Sequence, residues 1–197
     1  MNSPDSKDQL PHEASANATA AAPLSASQRK RPTLRFMLSH PAHIASLGFG
    51  SGLSPIMPGT CGTLAGWLIY VLLAPYLSVS AWVALIVIGF FVGIWLCGFT
   101  ARKMNVPDPG AVVWDEIIAI WIVLLLVAPT GFWGQLLCFA VFRFFDMVKP
   151  PPIRYFDQHL KGGFGIMFDD VVAAFFSLIV IALIGAIFPA TLIAIRH

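Results

Sequence analysis

Seven acidic residues follow residue 40 in this chain, and nearly all stand at the edges of apolar runs: Asp108, Asp115, Glu116, Asp146, Asp157, Asp169 and Asp170. A carboxylate beside hydrocarbon is unfavourable unless it is paired, metal-bound or part of a polar pathway. The same stretches carry phosphate-compatible cations, Arg143, Lys149, Arg154 and Lys161. Acids suited to a divalent metal and bases suited to an anion, both next to a bilayer, predict chemistry on a phosphorylated lipid.

Three short patterns make this concrete. Trp114-Asp115-Glu116 leads straight into Ile-Ile-Ala-Ile-Trp. Acids in a first helical turn answer the helix dipole, and an adjacent pair also offers the oxygen ligands that Mg²⁺ prefers. Arg143, Asp146 and Lys149 recur every three residues and share a helical face, as phosphate ligands or as a local ion-pair ladder. Gly162-Gly163-Phe164-Gly165 reads as a flexible loop before Asp169 and Asp170 at the start of the last helix. Capping accounts for one acid there better than for two, so metal binding is favoured. The candidate catalytic and metal-binding set is therefore Asp115, Glu116, Asp146, Asp169 and Asp170. Arg143, Lys149 and Arg154 are the candidate phosphate ligands.

A fourth stretch, HIASLGFGSGLSPIMPGTCGT from His43 to Thr63, is too broken by Gly, Ser and Pro for an ordinary spanning helix. It reads either as a phosphate-facing or re-entrant loop with exposed amides, or as a glycine-rich packing segment. Ser51, Ser54 and Thr60 are its candidate substrate-binding hydroxyls. Its glycines have neither Walker A spacing nor a dinucleotide fingerprint.

Other chemistries find little support. Cys61, Cys97 and Cys138 lie singly in apolar sequence without a CxxC pair, as small buried hydrophobes do. No GxSxG elbow supports acyl transfer. A net charge of +2 without a basic, aromatic-interleaved stripe argues against nucleic acid.

The elements that must position these residues are helices in a membrane. Hydrophobic residues make up 57% of the chain and charged ones 11%, against roughly 25% charged in soluble domains. Residues 1–32, rich in Ala, Ser and Asn and ending in a basic cluster, read as a disordered cytoplasmic tail. Residues 33–197 form the membrane-embedded domain. The expected fold is an all-α polytopic bundle of about five transmembrane helices with the Gly/Pro-rich, re-entrant segment near residues 43–63. Apolar runs at 60–77 and 79–99 predict one helical hairpin, runs at 117–127 and 132–147 a second, and 171–195 a final span. Lys and Arg fall in the N-terminal flank and in the loops at 100–114 and 149–168, and are missing from the hairpin tips. That bias puts the N-terminus, both long loops and all the candidate acids on the cytoplasmic side.

GFGSGLSPIMPGTCGT from Gly48, VVWDEII from Val112, FRFFDMVKPPPIRYFD from Phe142 and GGFGIMFDDVVA from Gly162, in that order, resemble the phosphatidylglycerophosphatase A family of bacterial membrane enzymes. The resemblance covers about residues 35–189. It implies Mg²⁺-dependent removal of the terminal phosphate from phosphatidylglycerophosphate in the bacterial inner membrane, with the motif acids and bases above as the functional positions. Ala119 stands where the family usually has glycine, a change that removes no carboxylate. The residues leave open which acid is the base, the number of ions and the oligomeric state. The main rival is an ion-coupled transporter, although such sites lie near the bilayer midplane and these acids gather at one interface.

Overall fold

A computed structural model describes residues 31–128, 131–151, 155 and 159–187. The expected tail therefore lies almost wholly outside the described residues, as do Arg154, Asp157 and the end of the last span. Among the described residues the elements are all helical: α1 (Leu34–Leu38), α2 (Pro41–Ser46), a 3₁₀ segment (Gly48–Leu53), α3 (Pro58–Leu73), α4 (Val79–Met104), α5 (Trp114–Val127), α6 (Phe132–Val148) and α7 (Gly162–Ile187).

α5 is the axis of the molecule. It is apolar on every side, the pattern of a helix surrounded by others, and Ile117, Ile118, Ile120 and Val123 are inaccessible to solvent. α3, α4, α6 and α7 all pack against it. The two arms of the expected first hairpin, α3 and α4, meet near their turn, where the Tyr70 and Trp82 rings stand 4.7 Å apart. Beyond the turn, α5 contacts them both.

α4 and α7, at 26 residues each, are long and apolar enough to cross a membrane. Only 28% and 33% of their most apolar stretches is buried inside the protein, unlike the core helix of a soluble domain. Val87, Phe91 and Trp95 of α4 and Phe175, Ile179 and Leu183 of α7 form an exposed apolar belt suited to lipid and not to water. α3, α5 and α6 have 16, 14 and 17 residues, fewer than the roughly 20 that cover the hydrocarbon core. Among the described residues the architecture thus has two clear candidate spans with shorter helices packed among them.

Two glycine-rich stretches serve close packing, the first against expectation and the second in line with one of its two readings. Gly162-Gly163-Phe164-Gly165 is the first turn of α7 and not a loop. A Cβ on Gly163 would collide with the Ile94 carbonyl and come within 2.9 Å of the Gly98 nitrogen, so small residues let α4 and α7 cross closely. Gly163→Ala should therefore force the helices apart. A destabilisation of about 1–3 kcal/mol is expected for such overpacking, read as a lowered unfolding temperature in detergent.

The His43–Thr63 stretch folds into α2, the 3₁₀ segment and the start of α3, and packs onto the entrance to α5. Val113 N–H donates to the Ser46 carbonyl at 2.9 Å, while Gly52 and Gly62 leave room for Ala111 and Val113. His43 Nδ1 and Thr100 Oγ1, 3.0 Å apart, tie α2 to α4. Burial, with His40 and Lys103 nearby, holds the His43 imidazole below the usual histidine range.

Candidate functional site

Pro at the first position of α3 and the acids in the first turn of α5 begin two helices whose ends meet α6 and α7. Asp115 and Glu116 point into this junction at 9% exposure each, and Asp170 reaches it from α7 at 3%. One carboxylate oxygen from each lies within 4.8 Å of the other two. Asp115 Oδ1, Glu116 Oε2 and Asp170 Oδ2 are buried and make no hydrogen bond.

The placement of Asp170 bears on the capping alternative. α7 starts at Gly162, so Asp169 and Asp170 stand about two turns inside it, beyond the reach of the helix dipole. Capping can explain Asp115 and Glu116 but not these two. Like charges about 4 Å apart repel by about 4 kcal/mol at an effective dielectric constant of 20, a repulsion that either protonation or a bound cation relieves. Hard oxygen donors suit Mg²⁺, and the chemistry of Asp115, Glu116 and Asp170, with their close and unpartnered oxygens, fits a divalent ion.

The remaining candidates divide between partners and neighbours. Arg143 on α6 forms an ion pair with Asp146, lies 3.7 Å from Glu116 Oε1, and donates to Thr63 Oγ1 at 3.3 Å. Its Nε is buried and makes no hydrogen bond. Asp146 acts electrostatically on Glu116 and Asp170, so it belongs to the cluster's rim while holding Arg143. The expected Arg143–Asp146–Lys149 ladder stops at Asp146. Lys149 ends α6 in a left-handed conformation, φ 42°, and its ammonium donates instead to Asp169 Oδ2 at 2.5 Å.

Of the three hydroxyls, Thr60 has a buried Oγ1 that makes no hydrogen bond. Ser51 donates to the Gly48 carbonyl and Ser54 to the Ile56 carbonyl, both at 2.8 Å, so both serve local turns.

Two participants were not singled out in the sequence, and a third, Asp108, was named there only among the acids at apolar edges. Thr63 receives Arg143 and donates to the Gly59 carbonyl at 2.9 Å. Gly59 brings the α3 backbone against Glu116 and Arg143, where a Cβ would meet Glu116 Oε1 and stand 3.2 Å from the guanidinium. Asp108 acts on Asp115 and, with Lys161 and Asp169, lines a neighbouring cavity of about 300 Å³. Helical spacing from Pro58 puts 59, 60 and 63 on one face, a signal available once that helix start is known.

Residues 44–185 match the family model described as Phosphatidylglycerophosphatase A. A Phosphatidylglycerophosphatase A of Haemophilus influenzae is 44% identical over 76% of this chain and 92% of its own length. That of Escherichia coli is 43% identical over 79% and 90%. A Bacteroides thetaiotaomicron protein with a provisional designation as a phosphatidylinositol-3-phosphatase is 42% identical over 68% and 87%. No solved structure matches the chain. Nothing among these relatives supports a transporter. With a family model spanning most of the sequence and relatives this similar over nearly their full lengths, the chain belongs to the phosphatidylglycerophosphatase A family and is a phosphatase.

Proposed function

We propose that this protein hydrolyses the terminal phosphomonoester of phosphatidylglycerophosphate to phosphatidylglycerol and inorganic phosphate, with Mg²⁺ held by Asp115, Glu116 and Asp170. The observation that carries this reading is the trio of buried carboxylates with unpartnered oxygens beside Arg143. The names of the Haemophilus and Escherichia relatives support the choice of substrate.

Phosphate monoesters resist water because their negative charge repels the nucleophile, so catalysis rests on charge neutralisation and alignment. When bound, a divalent ion supplies positive charge and Lewis acidity to the phosphoryl group. Arg143 offers its unpartnered Nε–H to a phosphate oxygen, while Asp146 and Thr63 fix the guanidinium's orientation. Thr60 Oγ1 provides a further donor on the α3 side. Water attacks phosphorus opposite the glycerol oxygen, and the P–O bond to that oxygen breaks with its electron pair staying on the glycerol. The water gives up a proton to a carboxylate of the cluster, the departing glycerol oxygen takes up a proton from solvent, and the carboxylate then returns its proton to solvent. The Lys149–Asp169 pair braces α6 against α7.

The direct test is phosphate release from phosphatidylglycerophosphate in detergent micelles by the purified protein, with and without Mg²⁺. Release should require the ion, return when it is restored, and exceed release from phosphatidate and lysophosphatidate. Equal rates after thorough chelation would remove the ion from the reading.

The site is further proposed to face the cytoplasm of a bacterial inner membrane, as the Lys and Arg bias supports. A single cysteine at Asn105 should react with an impermeant maleimide only from the cytoplasmic side, and one at Ser78, in the α3–α4 turn, only from outside. The reverse pattern would invert the orientation.

A further inference from the structure

The seam between α3 and α6 has a polar end and an apolar end. Arg143 donates to Thr63 at the polar end, next to the unpartnered Thr60 hydroxyl and Arg143 Nε. One turn after Thr60, an apolar groove of about 410 Å³ opens between Leu64, Leu68 and Val71 of α3 and Phe132 and Gln135 of α6, with Trp67 as its floor. The rim is exposed: Leu64, Leu68, Val71 and Phe132 are 52%, 59%, 44% and 62% accessible. The floor is fixed, because Trp67 Nε1 donates to Gln135 Oε1 at 2.7 Å and the ring packs against Phe132 and Phe139 at 5.8 and 5.6 Å.

Positions 60, 64, 67, 68 and 71 recur at helical spacing and so form one stripe of α3. From Thr60 to Val71 this stripe runs about 16 Å along the helix axis. Buried donors at one end and a lipid-facing apolar channel continuing from them match an amphiphile with an anionic head and a hydrocarbon tail. The exposed faces of α4 and α7 have the apolar belt, but the cations at the end of α4, Arg102 and Lys103, are exposed to solvent and not buried beside it.

We propose that the α3–α6 groove is a substrate subsite that seats one acyl chain of the lipid whose phosphate lies against Arg143 and Thr60. The assignment rests on the lipid-phosphatase reading and adds to it a tail-binding determinant. The groove selects for chain length, since a short tail leaves the Leu68 to Val71 stretch unfilled.

Two measurements decide it. In the first, the full-length protein in lipid nanodiscs is photolabelled with a non-hydrolysable phosphonate analogue of phosphatidate carrying a mid-chain diazirine, and with the diazirine diacylglycerol of the same chain. The phosphonate should label peptides holding Leu64 to Val71 and Phe132 to Gln135 several-fold more than the diacylglycerol does. Equal labelling by the two probes, or labelling spread over α4 and α7, would mean ordinary annular lipid and overturn the subsite. Capture of a second copy of the chain at those peptides would do the same.

In the second, Leu68→Trp and Val71→Trp are assayed on long-chain and dihexanoyl phosphatidylglycerophosphate. The ratio of kcat/KM for long over short chains should fall about tenfold, equivalent to losing roughly two buried methylene groups. An unchanged ratio overturns the proposal even if both rates change. If wild-type protein releases no phosphate from either lipid, the functional reading fails, while photolabelling still decides whether the groove takes the tail of a phosphorylated lipid.

Discussion

Asp170→Asn should lower phosphate release by at least about two orders of magnitude while leaving the protein folded. Removal of a single positioned electrostatic group in an active site has effects of that size. Asp170 is a strong probe because it is 3% exposed, has an oxygen without a hydrogen bond, and stands too far inside α7 to serve as a cap. Asn keeps its shape and removes its charge. Fewer like charges in the cluster should leave the ion-free protein as stable as wild type or more so, while the gain in unfolding temperature on adding Mg²⁺ shrinks, since an ion stabilises only as far as it binds. Near wild-type turnover in a folded variant, with the Mg²⁺ gain intact, would reject the three-carboxylate site.

Arg143→Lys should fold normally and lose about one to two orders of magnitude in kcat/KM. The guanidinium touches Asp146, Glu116 and Thr63 at once and has a further donor, Nε, unused. Lys keeps the positive charge but not the planar fork that can hold the carboxylates and meet phosphate together. Arg143 and Asp146 are largely buried, so a purely structural role would show as lost stability with the turnover of the folded protein unchanged. Initial rates over a range of substrate concentrations, with a thermal-unfolding control, separate the two roles. Normal kinetics with lowered stability would assign Arg143 to packing alone.

Much of this site was legible in the residues. Adjacent acids beside apolar runs are conspicuous in a chain so poor in charge, and four motifs in order carried the family resemblance. The apolar runs at 117–127 and 132–147 match α5 and α6 to within a few residues, because an apolar run bounded by Asp-Glu and by Pro or Gly leaves little freedom.

What could not be read was which acids meet. Asp169 and Asp170 are neighbours in sequence, yet successive helical residues diverge by about 100°, so one faces Lys149 and the other the cluster. Glycine was ambiguous for a related reason. The lack of a side chain serves a flexible loop and a close helix crossing equally well, and only the presence of Ile94 and Gly98 opposite Gly163 decides between them. Lys149 likewise left its expected face because the chain turns left-handed there, ahead of the prolines.

The unequal lengths of the helices have a consequence for the bilayer itself. α4 and α7 are each about 39 Å long and α5 only about 21 Å, with Asp169 and Asp170 some 11 Å along α7 from its first residue. The acid cluster therefore lies about two helical turns below the start of α7 and not at its tip. With α4 and α7 spanning a bilayer, a phosphorylated headgroup arriving beside α3 and α6 has to sink towards the carboxylates, so thicker or stiffer bilayers, which resist such a dent, should slow phosphate release without altering a single residue.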